Sequence, residues 1–334
     1  MARYPSSHRS RRRGRTRNRI YIISALLIIA VVIAFIYGNP FGKSKDELID
    51  TNVEKGAIPS AQKPAPQSFL LEIAPEQPAE PNPKVDDLIA EAMALVNGKP
   101  ARIIEARDRL NEALPMQQSR QQRQVVKEQL SKLADEWLFS RRIFPQDGLC
   151  GSYKVKPGEL LSTIGKQHKV PYEILMQINK IRSDRALQAG ETIKVVNGPF
   201  HTRVYRSTFT MDLYLQNTFV KSFPVGLGEP GMETPTGLWR VKPGGKLIKP
   251  TWTDHTGKTF RPEDPDYPLG SRWIGLEGIE GNAKSRTGFA IHGTKEPEEI
   301  GTAGSRGCIR LHNGDAILLY NLLVPGFSQV EVVE

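Results

Sequence analysis

Two short runs decide how this chain is read: Phe289-Ala290-Ile291-His292-Gly293-Thr294 and, after a spacer, Ser305-Arg306-Gly307-Cys308-Ile309-Arg310-Leu311-His312-Asn313. Three apolar residues lead His292 into a Gly turn, which predicts a strand that ends with an imidazole at a sheet edge. Cys308 follows Ser-Arg-Gly, a flexible approach that brings backbone N–H groups near its sulfur. Arg306 and Arg310 flank it, and cationic neighbours lower a thiol pKa and favour the thiolate. A thiolate beside an imidazole is an acyl-transfer unit, in which sulfur attacks a carbonyl and the ring shuttles the proton. The N–H groups of Gly307 and Cys308 are candidates for an oxyanion hole, where one donor is worth about 10²–10³ in rate. Sixteen residues separate His292 from Cys308, and spacing alone does not bring them together. Three other readings therefore stand. Cys308 is a buried inert thiol, half of a disulfide with Cys150, or a metal ligand with His292 and His312. His168, His201 and His255 are expected at surfaces.

The surroundings of these runs are rich in strand patterns, at 202–205, 210–215, 219–225, 238–241 and 288–291, with a helical run at 315–323 and a closing strand at 329–333. A mostly-β domain over 200–334 is expected, within a multidomain α+β chain. The Pro-, Gly- and Asp-rich segment 241–273 is expected to form a lid over the site. The motifs H-G-T and S-R-G-C-I-R, with Thr234-Pro235-Thr236-Gly237 and the following Leu238-Trp239, resemble the YkuD-type L,D-transpeptidase family. The resemblance implies a sandwich-like catalytic domain that acts on peptidoglycan stem peptides. It makes Cys308 the nucleophile, His292 the acid/base and Gly293 the carbonyl that orients the ring. It places Gly307, Ser305, Arg306, Arg310 and Thr294 around the oxyanion and the substrate. Arg306 stands where many members carry His. The implied reaction is a 3→3 cross-link through a cysteine thioester. It needs no cofactor and no metal. Two other functions fit the same motifs: a carboxypeptidase, if water outcompetes the amine, and a non-catalytic wall-binding scaffold.

Upstream, residues 152–198 follow a β-α-α-β pattern. Tyr153-Lys154-Val155 alternates as a strand, Pro157-Gly158 turns, two short apolar runs follow, and Gly190 to Val195 returns as a strand. The segment resembles a LysM module, which implies binding of N-acetylglucosamine-containing glycan in a shallow groove. Gly158, Glu159, Leu160, Lys180 and Ile181 would line that groove. Glu159-Leu160 replaces the Asp-Thr usual in the family. Residues 84–144 carry three apolar runs of helical period, Val85 to Val96, Ile103 to Leu114 and Val125 to Leu138. They are similar to a tetratricopeptide-like unit, expected to act as a spacer or to dock a protein partner.

Residues 39–83 are a linker, with seven prolines between Pro59 and Pro83 that favour extended chain. Residues 20–37 are uncharged and almost wholly apolar, long enough to cross a bilayer, and a transmembrane helix is expected over 20–38. Eight arginines and no acid lie within the tail 1–19, so the positive-inside rule keeps that tail cytoplasmic and exports the rest to the periplasm or cell-wall space. This placement also disposes of the net charge. Of 46 basic and 36 acidic residues in 334, the tail removes eight basic, leaving 38 against 36. Nucleic-acid binding is thus not expected of the folded part. Two cysteines exclude a disulfide scaffold and a Cys-rich zinc site.

Overall fold

The computed structural model describes residues 80–334. The basic tail, the expected span over 20–38 and all but the end of the 39–83 linker lie outside the described residues. Among the described residues, no helix is long and apolar enough to cross a membrane.

Three helices come first: α1 (Pro83–Asn97), α2 (Ile103–Ala113) and α3 (Arg120–Trp137). Pro83 sits in the first turn of α1, where its missing N–H costs nothing, and the Asn82 side chain accepts from the Lys84 N–H. Ser119 and Gln122 form a reciprocal capping box on α3. The Gln122 amide also donates to the Asn82 carbonyl at 2.9 Å and to Asp86 at 2.6 Å, which ties the starts of the two helices together. Leu88, Ala92, Leu110, Leu130, Leu133 and Trp137 are buried between them.

The next unit pairs β1 (Cys150–Lys154) with the antiparallel β2 (Thr192–Val196), around α4 (Leu161–Gln167) and α5 (Tyr172–Asn179). Lys194 is fully buried in β2, and its ammonium donates to the carbonyls of Trp137 and Ser140 at 2.6 and 2.9 Å. This unit is therefore fastened to the end of α3.

The remaining strands are β3 (Phe200–Tyr205), β4 (Thr210–Leu215), β5 (Thr218–Pro224), β6 (Leu227–Gly228), β7 (Gly237–Leu247), β8 (Trp252–Thr253), β9 (Thr259–Phe260), β10 (Trp273–Glu280), β11 (Ala290–His292), β12 (Ala303–Ser305), β13 (Ile309–Arg310) and β14 (Gln329–Val333), with α6 (Asn313–Leu322) before the last. Eight form one continuous hydrogen-bonded mixed sheet in the order β13-β11-β10-β7-β14-β3-β4-β5. Only β11–β13 and β14–β3 are parallel within it. β10 was not legible as a strand because glycines at 275 and 278 break its apolar alternation and bulges interrupt its register with β7. At the opposite edge, α3 covers β5. Lys127 pairs with the buried Asp212 at 2.9 Å, and the Phe219 N–H donates to the Asn111 side chain at 3.0 Å, so this edge strand is not left open.

His201 corrects the surface expectation. It is buried in β3, where its Nδ1 accepts from the Gln329 N–H at 3.1 Å, because the sheet interior needs an acceptor at that point. His168 is half-buried against Asn197 and Tyr153. Both cysteines are free, so the disulfide reading fails.

Candidate active site

The parallel pairing of β11 with β13 sets Ile291 opposite Ile309 and His292 opposite Arg310. Continuing that register puts Cys308 level with Ala290. The cysteine loop therefore runs alongside the strand that ends in His292, and the Cys308 sulfur takes the Ala290 N–H two residues before the histidine. His292 is buried, and its Nδ1–H donates to the Gly293 carbonyl at 2.6 Å. That bond fixes the ring and leaves Nε2 as the proton acceptor. Burial holds His292 down to about 4, against a smaller opposing pull from the Gly293 carbonyl. On the sheet face Trp273 stacks over the imidazole, with centroids 5.7 Å apart and planes 17° from parallel.

Cys308 is half-buried. Packing pushes its thiol up to about 11, and the Ala290 N–H directed at the sulfur opposes the rise. The S–H lies 3.9 Å from the Gly288 carbonyl. The flanking arginines do not produce the depressed pKa expected of them. Arg310 reaches the Glu299 carboxylate, and Arg306 Nη1 donates to His255 Nε2 at 2.6 Å. The resting pair is thus neutral thiol and neutral imidazole.

The approach to Cys308 is a turn whose polar groups satisfy one another. Ser305 is buried, and its hydroxyl donates to the Cys308 carbonyl at 2.6 Å while accepting from the Gly307 N–H at 3.1 Å. Ser305 therefore shapes the turn, and the Gly307 N–H is engaged by its hydroxyl in this structure. Gly307 has φ +102°, and a Cβ there would strike the Phe289 ring, so this position requires glycine. Thr294 is likewise buried, with its hydroxyl accepting from the Glu296 N–H at 2.9 Å.

Residues without an expected role complete the site. Asn313 donates to the Thr294 carbonyl at 2.8 Å and accepts from the Ser271 N–H at 2.8 Å, pinning the His292 turn to the end of the 241–273 segment. A Cβ on Gly293 would meet that same Asn313 oxygen. The 241–273 segment forms the β8–β9 hairpin over a separate apolar cluster of Phe260, Tyr267 and Leu269, with Trp252 and Trp273 packed on it. Trp273 so touches both the hairpin's core and the imidazole, and His255 at the hairpin tip touches the cysteine loop through Arg306. Asn313 stood in the quoted motif. Trp273 carried no sequence signal beyond its place at the segment's end.

In the smaller unit, Gly158 adopts φ +76° in the first loop, and Leu160 is exposed. Glu159 does not line a groove: its carboxylate accepts from the Tyr153 hydroxyl at 2.7 Å and the Lys156 N–H at 2.8 Å, locking its own turn. Lys180 ends α5 in the left-handed region and Ile181 is half-buried beside it. Elsewhere His312 is exposed at the start of α6, and no group of three His, Cys, Asp or Glu side chains among the described residues is placed to hold a metal ion.

Comparison with known proteins matches residues 199–332 to the L,D-transpeptidase catalytic domain and residues 153–196 to the LysM domain. A putative L,D-transpeptidase of Bacillus subtilis is 30% identical over 188 residues, covering 54% of this chain and 98% of its own. A Bacillus licheniformis relative of the same description is 29% identical over 187 residues, covering 54% of this chain and 97% of its own. A solved L,D-transpeptidase from Mycobacterium tuberculosis H37Rv matches at 20% identity and a TM-score of 0.33, over 44% of this chain and 64% of that one.

Proposed function

We propose, on the premise that this chain belongs to the YkuD L,D-transpeptidase family and is an enzyme of that type, that it cross-links peptidoglycan stem peptides through Cys308. The observation that carries this reading is the pairing of β11 with β13, which brings the cysteine loop alongside a ring-fixed His292. At pH 7 a thiol near 11 is ionised in only about one molecule in 10⁴, so attack begins from the neutral pair. His292 Nε2 takes the Cys308 proton as sulfur attacks the carbonyl of the third stem residue. The Cys308 N–H is the backbone donor assigned to the oxyanion, the Gly307 N–H being held by Ser305. Collapse breaks the scissile C–N bond, and His292 returns the proton to the departing amine. An amine of a second stem then attacks the thioester, the C–S bond breaks, and the proton lost by nitrogen passes through His292 to sulfur.

The LysM module supports glycan binding, with exposed Leu160 and half-buried Ile181 as the apolar contacts. A single module binds weakly, so its contribution is to raise the local concentration of stems at Cys308. The apolar run 20–37 behind its arginine tail supports a membrane anchor with the enzyme on the wall side, and the helical unit is a spacer or a docking point for a protein partner.

Mass spectrometry of the purified protein incubated with a tetrapeptide stem tests the reaction. An adduct on Cys308 of tripeptide mass and a cross-linked dimer are expected. Tripeptide without dimer would make the enzyme a carboxypeptidase, and absence of any adduct would remove Cys308 from catalysis.

A further inference from the structure

A cavity of about 460 Å³ borders the cysteine loop, and its lining includes Arg206, Arg286, Arg306, Glu233, Asn282 and Phe289. Phe289 joins it to the reaction centre. Its ring lies against Gly307, and the next residue, Ala290, directs its N–H at the Cys308 sulfur. The three guanidiniums come from separate segments: the end of β3, the loop before β11, and the cysteine loop itself. Arg286 uses Nε on the Asn282 carbonyl at 2.9 Å, Arg306 uses one nitrogen on His255, and Arg206 reaches the exposed Glu334 carboxylate at 3.0 Å. The acid in the lining is Glu233, whose carboxylate accepts from the Gly231 N–H at 2.9 Å. Three cations therefore meet two carboxylates, Glu233 in the lining and the exposed Glu334 on Arg206, in a cavity that borders the loop carrying Cys308.

Resting on the transpeptidase reading above, we infer that this cavity is the acceptor subsite, and that Arg206 and Arg286 bind a free carboxylate of the incoming stem peptide. Two effects favour an amine carried by such a stem. Guanidinium–carboxylate hydrogen bonds orient the acceptor. The same cations disfavour the ammonium form of its amine, raising the fraction of free nucleophile. The free amine attacks the thioester carbonyl, a C–N bond forms as C–S breaks, and the nitrogen's proton passes through His292 to sulfur. Water needs neither effect, so the arginines bias the acyl-enzyme toward amide formation.

The test measures how one acyl-enzyme partitions between amide and hydrolysed product, with an acceptor peptide bearing a free carboxylate and with its carboxamide counterpart. With the carboxylate acceptor, R286Q lowers the amide-to-hydrolysis ratio about tenfold, the size of one lost charge-assisted hydrogen bond, and R286K restores part of it. With the carboxamide acceptor, wild type and R286Q give similar ratios. An unchanged ratio in R286Q, or an equal fall with both acceptors, overturns the proposal. R206Q repeats the measurement from a second segment, so a folding defect in one variant does not decide the result. A wild-type protein that forms no acyl-enzyme would instead sink the transpeptidase reading.

Discussion

Cys150 opens β1 and Cys308 stands just before β13, and burial raises both thiols, to about 12 and about 11. The difference between them lies in their surroundings. Cys150 is closed between the helical unit and β2, and the nearest cation, Lys194, has its ammonium committed to the Trp137 and Ser140 carbonyls. Cys308 keeps partial access to solvent, takes an N–H from Ala290 and lies in the loop that runs alongside the strand of a ring-fixed histidine. The two buried histidines repeat the contrast. Both are held near 4, but His201 spends Nδ1 as an acceptor inside the sheet while His292 donates from Nδ1 and leaves Nε2 for chemistry. On the proposed reading, the nucleophile is distinguished by access and a positioned base, not by a low resting pKa.

The most severe way to break this comparison is to exchange the roles. Cys308→Ala should abolish cross-linking, whereas Cys150→Ala should keep it and cost only about 1 kcal/mol of stability, the scale of a small core truncation. Retained cross-linking in the Cys308 variant, measured by chromatography of dimer product, would end the argument. One step down, His292→Asn should lower kcat/KM by about 10²–10⁴, the usual worth of a general base. His201→Asn is read by thermal unfolding, and a loss of kcat/KM there equal to that of His292→Asn would erase the contrast.

How far the sequence disclosed this site depended on whether a residue acts through its own chemistry or through its neighbours. His292, Gly293 and Cys308 were legible because residue type and turn context specify what they can do. What the sequence did not disclose is that Ser305, Thr294 and Gly307 hydrogen-bond within their own turns, through three bonds invisible in one dimension. The arginines looked like thiolate stabilisers by adjacency, yet long side chains carried them to Glu299 and His255. The helices were legible from their period and caps, while β10 was hidden by its glycines and the β8–β9 hairpin by its brevity.

Acid provides a graded test. With the folded imidazole near 4, His292 stays neutral through the mildly acidic range, so kcat/KM should hold down to about pH 5 and fall as pH passes through about 4. Stability follows a different window. Both buried histidines have folded pKa values below the unfolded 6.5, so the unfolded chain binds more protons between about 6.5 and 4. Stability is full above 6.5 and drains as pH falls toward 4, by up to about 3 kcal/mol for each group. Denaturant unfolding across that range should show the decline, and His201→Asn should remove about half of it. A flat profile would mean the two rings are not held neutral.

Smaller still is the effect expected of Trp273, the residue joining the β8–β9 hairpin to the base. Trp273→Phe retains a stacking ring and should stay within a few-fold of wild type, while Trp273→Ala frees the imidazole face and should reduce kcat about tenfold. Because burial holds His292 down while the Gly293 bond pulls the other way, the acid limb should stay near 4 in Trp273→Phe and rise toward 6.5 in Trp273→Ala. If kcat fell in Trp273→Ala while the limb stayed near 4, the indole would act by orienting the ring and not by excluding water from His292. Comparing kcat with the position of the limb therefore distinguishes the two contributions of a single side chain.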